Sequence, residues 1–226
     1  MKHCLILLLL VSMVSISANS QMRRLERRAI GGNSSRHVGE SSITYTDIVD
    51  TIGAATRNAY SLVAERYEIE DGINFGRDAD YTMDCGLEFR LNIPQGRTID
   101  TAIIYMTLNT NTGWTTGDTV DIGVYDVDTA SIFVTGHTHS IATHQTMSEE
   151  IIPWTGISQT DLGSLVTSPN IKSLVQIPIS RAGWLANNYI GIVLKARTPT
   201  ITRKMMMFNY GGGVAEWIPS IRVVYH

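Results

Sequence analysis

Cys85-Gly86-Leu87-Glu88-Phe89-Arg90-Leu91 places Cys85, Leu87, Phe89 and Leu91 on one side of an extended chain and Glu88 and Arg90 on the other. Period-two alternation of this kind marks a half-buried β-strand. Working outward, Ile93-Pro94-Gln95-Gly96 reads as a turn, with proline at the second position and glycine closing it. The alternation returns at Ala102, Ile104, Met106 and Leu108, and at Val120, Ile122 and Val124. It appears again at Ile190, Ile192, Leu194 and Ala196, and last at Ile221, Val223 and Tyr225. Short strands at such spacing, with few helical stretches between them, predict an all-β antiparallel β-sandwich.

One helix is expected, at about 169–177, as a cap on the sandwich. Ser168 is placed as its N-cap and Pro169 at the first helical position. Ile171, Leu174 and Val175 form its apolar stripe, and Pro178, which lacks an amide proton, ends it near Ile177. Upstream the pattern is mixed. Ile43, Tyr45, Ile48 and Val49 hint at a strand, while Ala55, Leu62 and Val63 give residues 54–70 a loose helical spacing.

The chain has 226 residues, 43% of them hydrophobic and 17% charged, with net charge −3. These values exclude a disordered chain. Residues 4–16 are almost wholly apolar after a basic start, too short to cross a bilayer but suited to a signal-peptide core. Ala18-Asn19-Ser20 then offers small residues at a cleavage site, so residues 1–20 read as a signal peptide and the protein as secreted, with no membrane attachment after cleavage. An uncleaved anchor is the alternative.

Residues 21–70 read as a basic flank and amino-terminal arm, and 71–226 as the sandwich domain. Arg23, Arg24, Arg27 and Arg28 give residues 1–28 a net charge of +4, leaving −7 on the rest. Arg27 and Arg28 resemble a processing site that would release a propeptide, 21–28; a solvated flank is the alternative. Asn33-Ser34-Ser35 is an N-glycosylation sequon. The acidic body argues against nucleic-acid binding. With Cys4 lost in the leader, Cys85 remains, and its alternation places it in the core as a small apolar residue.

The run from about Asp84 to His226 resembles a secreted jelly-roll module related to the DNRLRE-type carbohydrate-binding-like domains. The matching pieces are Gly86-Leu87-x-Phe89, Ile93-Pro94-x-Gly96-x-x-Ile99-x-x-Ala102, Ile152-Pro153-Trp154 and the segment Thr167 to Gln176. Arg181-x-Gly183-Trp184-x-x-Asn187-x-Tyr189 and Pro219-Ser220-Ile221-x-Val223-x-Tyr225 complete the set. Pro178 departs from it, as does the loop Asn209-Tyr210-Gly211-Gly212-Gly213, which lacks the aspartate that the resemblance leads one to expect before the final strand. The resemblance implies a jelly-roll-like sandwich and a non-catalytic extracellular role.

Glycan binding needs flat apolar faces beside polar groups. Trp114, in a polar glycine-punctuated loop with Asn111 and Asp118, is such a candidate, as is Trp217; local packing is the alternative for Trp114. Trp154 and Trp184 read as core. His137, His139 and His144 could hold a transition metal, with Glu149 or Glu150, although the spacing matches no standard zinc motif. Asp126 and Asp128, on one expected strand face, are weak calcium candidates, but no twelve-residue calcium loop is present. No cofactor is therefore expected, and no enzyme motif is found.

Two functions follow as expectations. The first is a secreted, non-catalytic module binding extracellular polysaccharide or matrix protein. The alternative is a self-associating structural subunit of a filament, surface layer or particle, in which residues 29–56 add a strand to a neighbour's sheet.

Overall fold

Alternating segments become strands because each can bury one side and hydrate the other. The computed structural model describes residues 44–53, 58–62, 66–68, 72–78, 81–133, 141–157, 163–197, 204–208 and 218–226. The strands are β1 (Thr46–Thr51), β2 (Asn58–Leu62), β3 (Arg66–Glu68), β4 (Gly72–Asp78), β5 (Tyr81–Leu91) and β6 (Ile99–Thr112). They continue with β7 (Val120–Val124), β8 (Ile152–Trp154), β9 (Leu165–Thr167), β10 (Asn188–Ala196), β11 (Lys204–Phe208) and β12 (Ser220–Tyr225). Helices α1 (Ile141–His144) and α2 (Lys172–Ile179) interrupt them. All described residues lie within the unit Ile43–His226.

The strands form two antiparallel sheets, and the protein is an all-β sandwich with a short helix. The first sheet runs β1-β12-β6-β9. In the second, β5 pairs with β10, which pairs with β7 and then β8, while β2, β3, β4 and β11 extend it. Strand β6 joins the two: its early residues pair with β12, and Leu108 to Thr112 pair with β11. Between the sheets Leu87, Phe89, Leu91, Ile104, Met106, Ile192, Leu194, Ile221 and Val223 are fully buried, as is Cys85. Each large apolar side chain so buried stabilises the fold by roughly 1.5–3 kcal/mol. Trp184 closes the core and donates its indole N–H to the Ile93 carbonyl at 2.9 Å.

The sandwich begins earlier than the expected boundary at 71. Strand β1 pairs along its length with β12 of the same chain, so Thr46–Thr51 of the 29–56 arm is part of the sandwich. The helical spacing expected over 54–70 also gives way, to β2 and β3, because β5 offers Asn58–Leu62 a pairing edge.

The helix is shifted towards the carboxyl terminus. It starts at Lys172, with Ile171 as its N-cap and no side-chain cap bond, and Pro178 lies within its last turn. Ser168 is not the cap because its hydroxyl accepts from the Ile104 amide, at 2.9 Å. Asn170 accepts from Ala102 at 3.0 Å and Gln176 from Ile99 at 2.8 Å. Three side chains thereby cover the amides of the β6 edge beyond β9, protecting an edge that would otherwise template aggregation. The turn after β5 is displaced by one residue: the Arg97 amide donates to the Pro94 carbonyl, and Gly96 takes φ +73°. Glycine at that third position is what a left-handed turn residue requires.

The centre of the second sheet's outer face is also buried, while Arg90 and Lys195 on the same face stay exposed. Register aligns Ala59, Gly86, Val193 and Gly123 across β2, β5, β10 and β7. Phe133, Ile141 and Met147 press onto this row of small residues: a β-carbon on Gly86 would lie 2.5 Å from the Phe133 ring, and one on Gly123 would lie 2.5 Å from Met147 Cε. Tyr125, Ala130, Phe133 and Ile141 form a second apolar cluster with Ala59 and Val193. The Tyr125 hydroxyl donates to the Ile141 carbonyl at 2.6 Å.

Candidate functional site

The residues singled out for ligand binding fall in unexpected places. Trp114 is 2% exposed and belongs to the main core. Its ring meets Phe75 edge-to-face, with centroids 5.6 Å apart, so it presents no face on which a sugar could stack. A tryptophan in a polar loop is drawn inward because its large apolar area outweighs the preference of its neighbours for water. Asp118 holds the same loop together: its carboxylate accepts from the Thr115 amide at 2.7 Å and the Thr115 hydroxyl at 2.9 Å. Asn111 lies in β6, opposite Met205 of β11. Trp217, His137, His139, Asn33, Arg27, Arg28 and the expected signal peptide, residues 1–20, lie outside the described residues.

His144 ends α1, its Nε2 3.1 Å from the Ser131 hydroxyl and its ring between Tyr125 and Phe133. Among the described residues, no three His, Cys, Asp or Glu side chains are grouped as metal ligands.

Asp126 and Asp128 do converge, but on an arginine. They lie in the loop after β7, not on a strand face. Arg181 bonds Asp126 through Nη1 at 2.6 Å and Asp128 through Nε at 2.7 Å. These bonds, the one to Asp128 foremost, hold the guanidinium pKa above its ordinary value. A β-carbon on Gly183 would lie 2.1 Å from Asp128 Oδ2, so the missing side chain makes room for the carboxylate. The cluster ties the loop after β7 to the one after α2, and its arginine supplies the positive charge that a calcium ion would bring.

The outer face of the first sheet contrasts with the covered centre of the second sheet's outer face. Register sets three rows across β1, β12 and β6: Asp47–Val224–Thr101, Val49–Arg222–Ile103 and Thr51–Ser220–Tyr105. All nine residues are partly or fully exposed. Arg222 stands at the centre, with Asp47 and Tyr105 at opposite corners. Its Nε lies 3.0 and 3.1 Å from the two Asp47 oxygens, and Nη2 is 2.7 Å from Oδ2. This fork, with Tyr105 as a lesser hydrogen-bonding neighbour, raises the guanidinium pKa.

The signal for this site was present in part. In Ile221-Arg222-Val223-Val224-Tyr225 and in Ile103 and Tyr105, the residues between the core positions must face outward. Asp47 was invisible as a partner, because it is 175 positions from Arg222 and nothing local announces that β1 pairs with β12.

Among the described residues no helix is long and apolar enough to cross a membrane. No known family profile matches the chain, and no curated protein matches it.

Proposed function

We propose that this protein is a secreted, non-catalytic extracellular module that binds glycan or matrix through the outer face of its first sheet. The observation that carries this reading is the exposed Asp47–Arg222–Tyr105 diagonal across three paired strands, while the centre of the other sheet's outer face is covered by the protein's own residues. A salt-bridged fork beside aliphatic and aromatic surface sets hydrogen-bonding and apolar groups side by side, as glycan recognition requires. The leader-like amino terminus and the resemblance to DNRLRE-type domains support the extracellular setting. Assembly through residues 29–56 is the weaker reading, since β1 already pairs with β12.

The full chain, expressed with its leader, is expected in the medium and on an array of glycans and matrix proteins. Tyr105→Ala and Arg222→Gln should each weaken its binding. Retention inside the cell, or array binding untouched by both substitutions, would overturn the proposal.

A further inference from the structure

The chemistry of the open face narrows the ligand class, an inference that rests on the function just proposed. Among its nine positions only Asp47 and Arg222 carry charge at neutral pH, and they are bonded to each other. The face therefore has no net charge and no uncompensated cation. An anionic polysaccharide would meet an arginine already neutralised and a carboxylate that repels it. The pair nonetheless keeps polar capacity: a guanidinium has five N–H donors and a carboxylate about four acceptor sites, more than one bidentate contact uses. Donors and acceptors lying side by side match vicinal hydroxyls, each of which can both give and receive a hydrogen bond.

Around the pair lie Val49, Ile103 and Val224, and the hydroxyls of Thr51, Thr101 and Ser220 border them. Val49 is 65% exposed, a large apolar surface left in water on a face otherwise suited to the C–H side of a sugar ring. Three strands at ~4.8 Å spacing make this face about 10 Å across, room for a short run of rings. We infer that the outer face of the first sheet takes an uncharged, polyhydroxylated glycan chain, with Asp47 and Arg222 hydrogen-bonding adjacent hydroxyls and Val49, Ile103 and Tyr105 supplying the apolar contact.

Affinity electrophoresis of the full secreted chain tests this against soluble β-glucan, xylan and mannan, with heparin and polygalacturonate as anionic counterparts. At least one neutral polymer should retard the protein, equally at ~0.05 and ~0.5 M salt, since no net charge is being neutralised. Arg222→Lys keeps the charge but loses the fork, and Tyr105→Ala removes the ring; each should weaken binding about tenfold. Val49→Asp, far from the core, should do the same while leaving the melting temperature unchanged, which separates lost binding from lost folding.

Salt-sensitive binding of the anionic polymers alone would overturn the inference and leave the module reading standing. So would binding to matrix protein alone, or light scattering that shows a dimer broken by Val49→Asp. Binding to nothing on either panel would remove the module reading itself.

Discussion

The Tyr125 ring occupies the space above Gly191: a β-carbon there would lie 2.2 Å from Cδ2 and 2.7 Å from Cε2. Together with Gly86 and Gly123 this makes the centre of the second sheet's outer face a receptor for the protein's own Tyr125, Ala130, Phe133, Ile141 and Met147. Gly191→Ala should displace the ring, weaken its hydroxyl bond to Ile141 and cost about 1–3 kcal/mol by overpacking. Urea denaturation measures the loss; a neutral variant would mean that the ring moves freely and the layer is loose.

Asp84 sets a pH dependence. It is 8% exposed, its Oδ1 accepts no hydrogen bond, and desolvation raises its pKa against a smaller opposing pull from Lys195. The unfolded chain titrates near the ordinary value of about 3.9. Above that value, and up to the raised folded one, the native state holds the extra proton, so stability falls as pH rises through this window. Asp84→Asn should therefore be more stable than the parent at neutral pH, by about 1 kcal/mol. The gain should vanish by about pH 3, below both values. Melts at the two pH values check the sign.

Trp114 and Arg222 should separate stability from binding. Trp114→Ala opens a cavity in the core and should cost about 3–5 kcal/mol, with binding per folded molecule unchanged. Arg222→Gln breaks only an exposed pair, worth about 0–1 kcal/mol, and its effect should fall on binding. The opposite pattern, in paired melts and binding assays, would return ligand contact to the Trp114 loop.

Cys85 is fully buried, and burial, seconded by the neighbouring Asp84, pushes its thiol pKa up. Both effects withhold the thiolate that reacts with alkylating agents. Peptide mapping should find Cys85 unmodified by iodoacetamide in the native protein and fully modified in concentrated urea.

Much of the sandwich was legible because alternation is a local property. Residues 85–91, 102–108, 120–124, 190–196 and 221–225 fall in strands, with Leu87, Ile104, Ile122, Ile192 and Val223 all facing the core. Residues whose partners are distant were misread. Ser168 has the look of a helix cap until the Ile104 amide is placed beside it. Residues 58–62 carry no strand pattern strong enough to outweigh Ala55, Leu62 and Val63 until β5 is there to pair with them. Asp126 and Asp128 were legible as a close pair, but not the arginine they hold.

From its own order of residues the chain determined which side chains turn inward, since a strand's two sides are set by counting. Only the tertiary structure decided what lies against each outer side. The residues that cover the centre of one sheet, Tyr125, Phe133 and Ile141, follow no period that reveals their destination, and the carboxylate completing the fork on the other arrives from the far end of the sequence. Counting along a strand tells which way a side chain points; the packing of distant segments decides whether it meets protein or water.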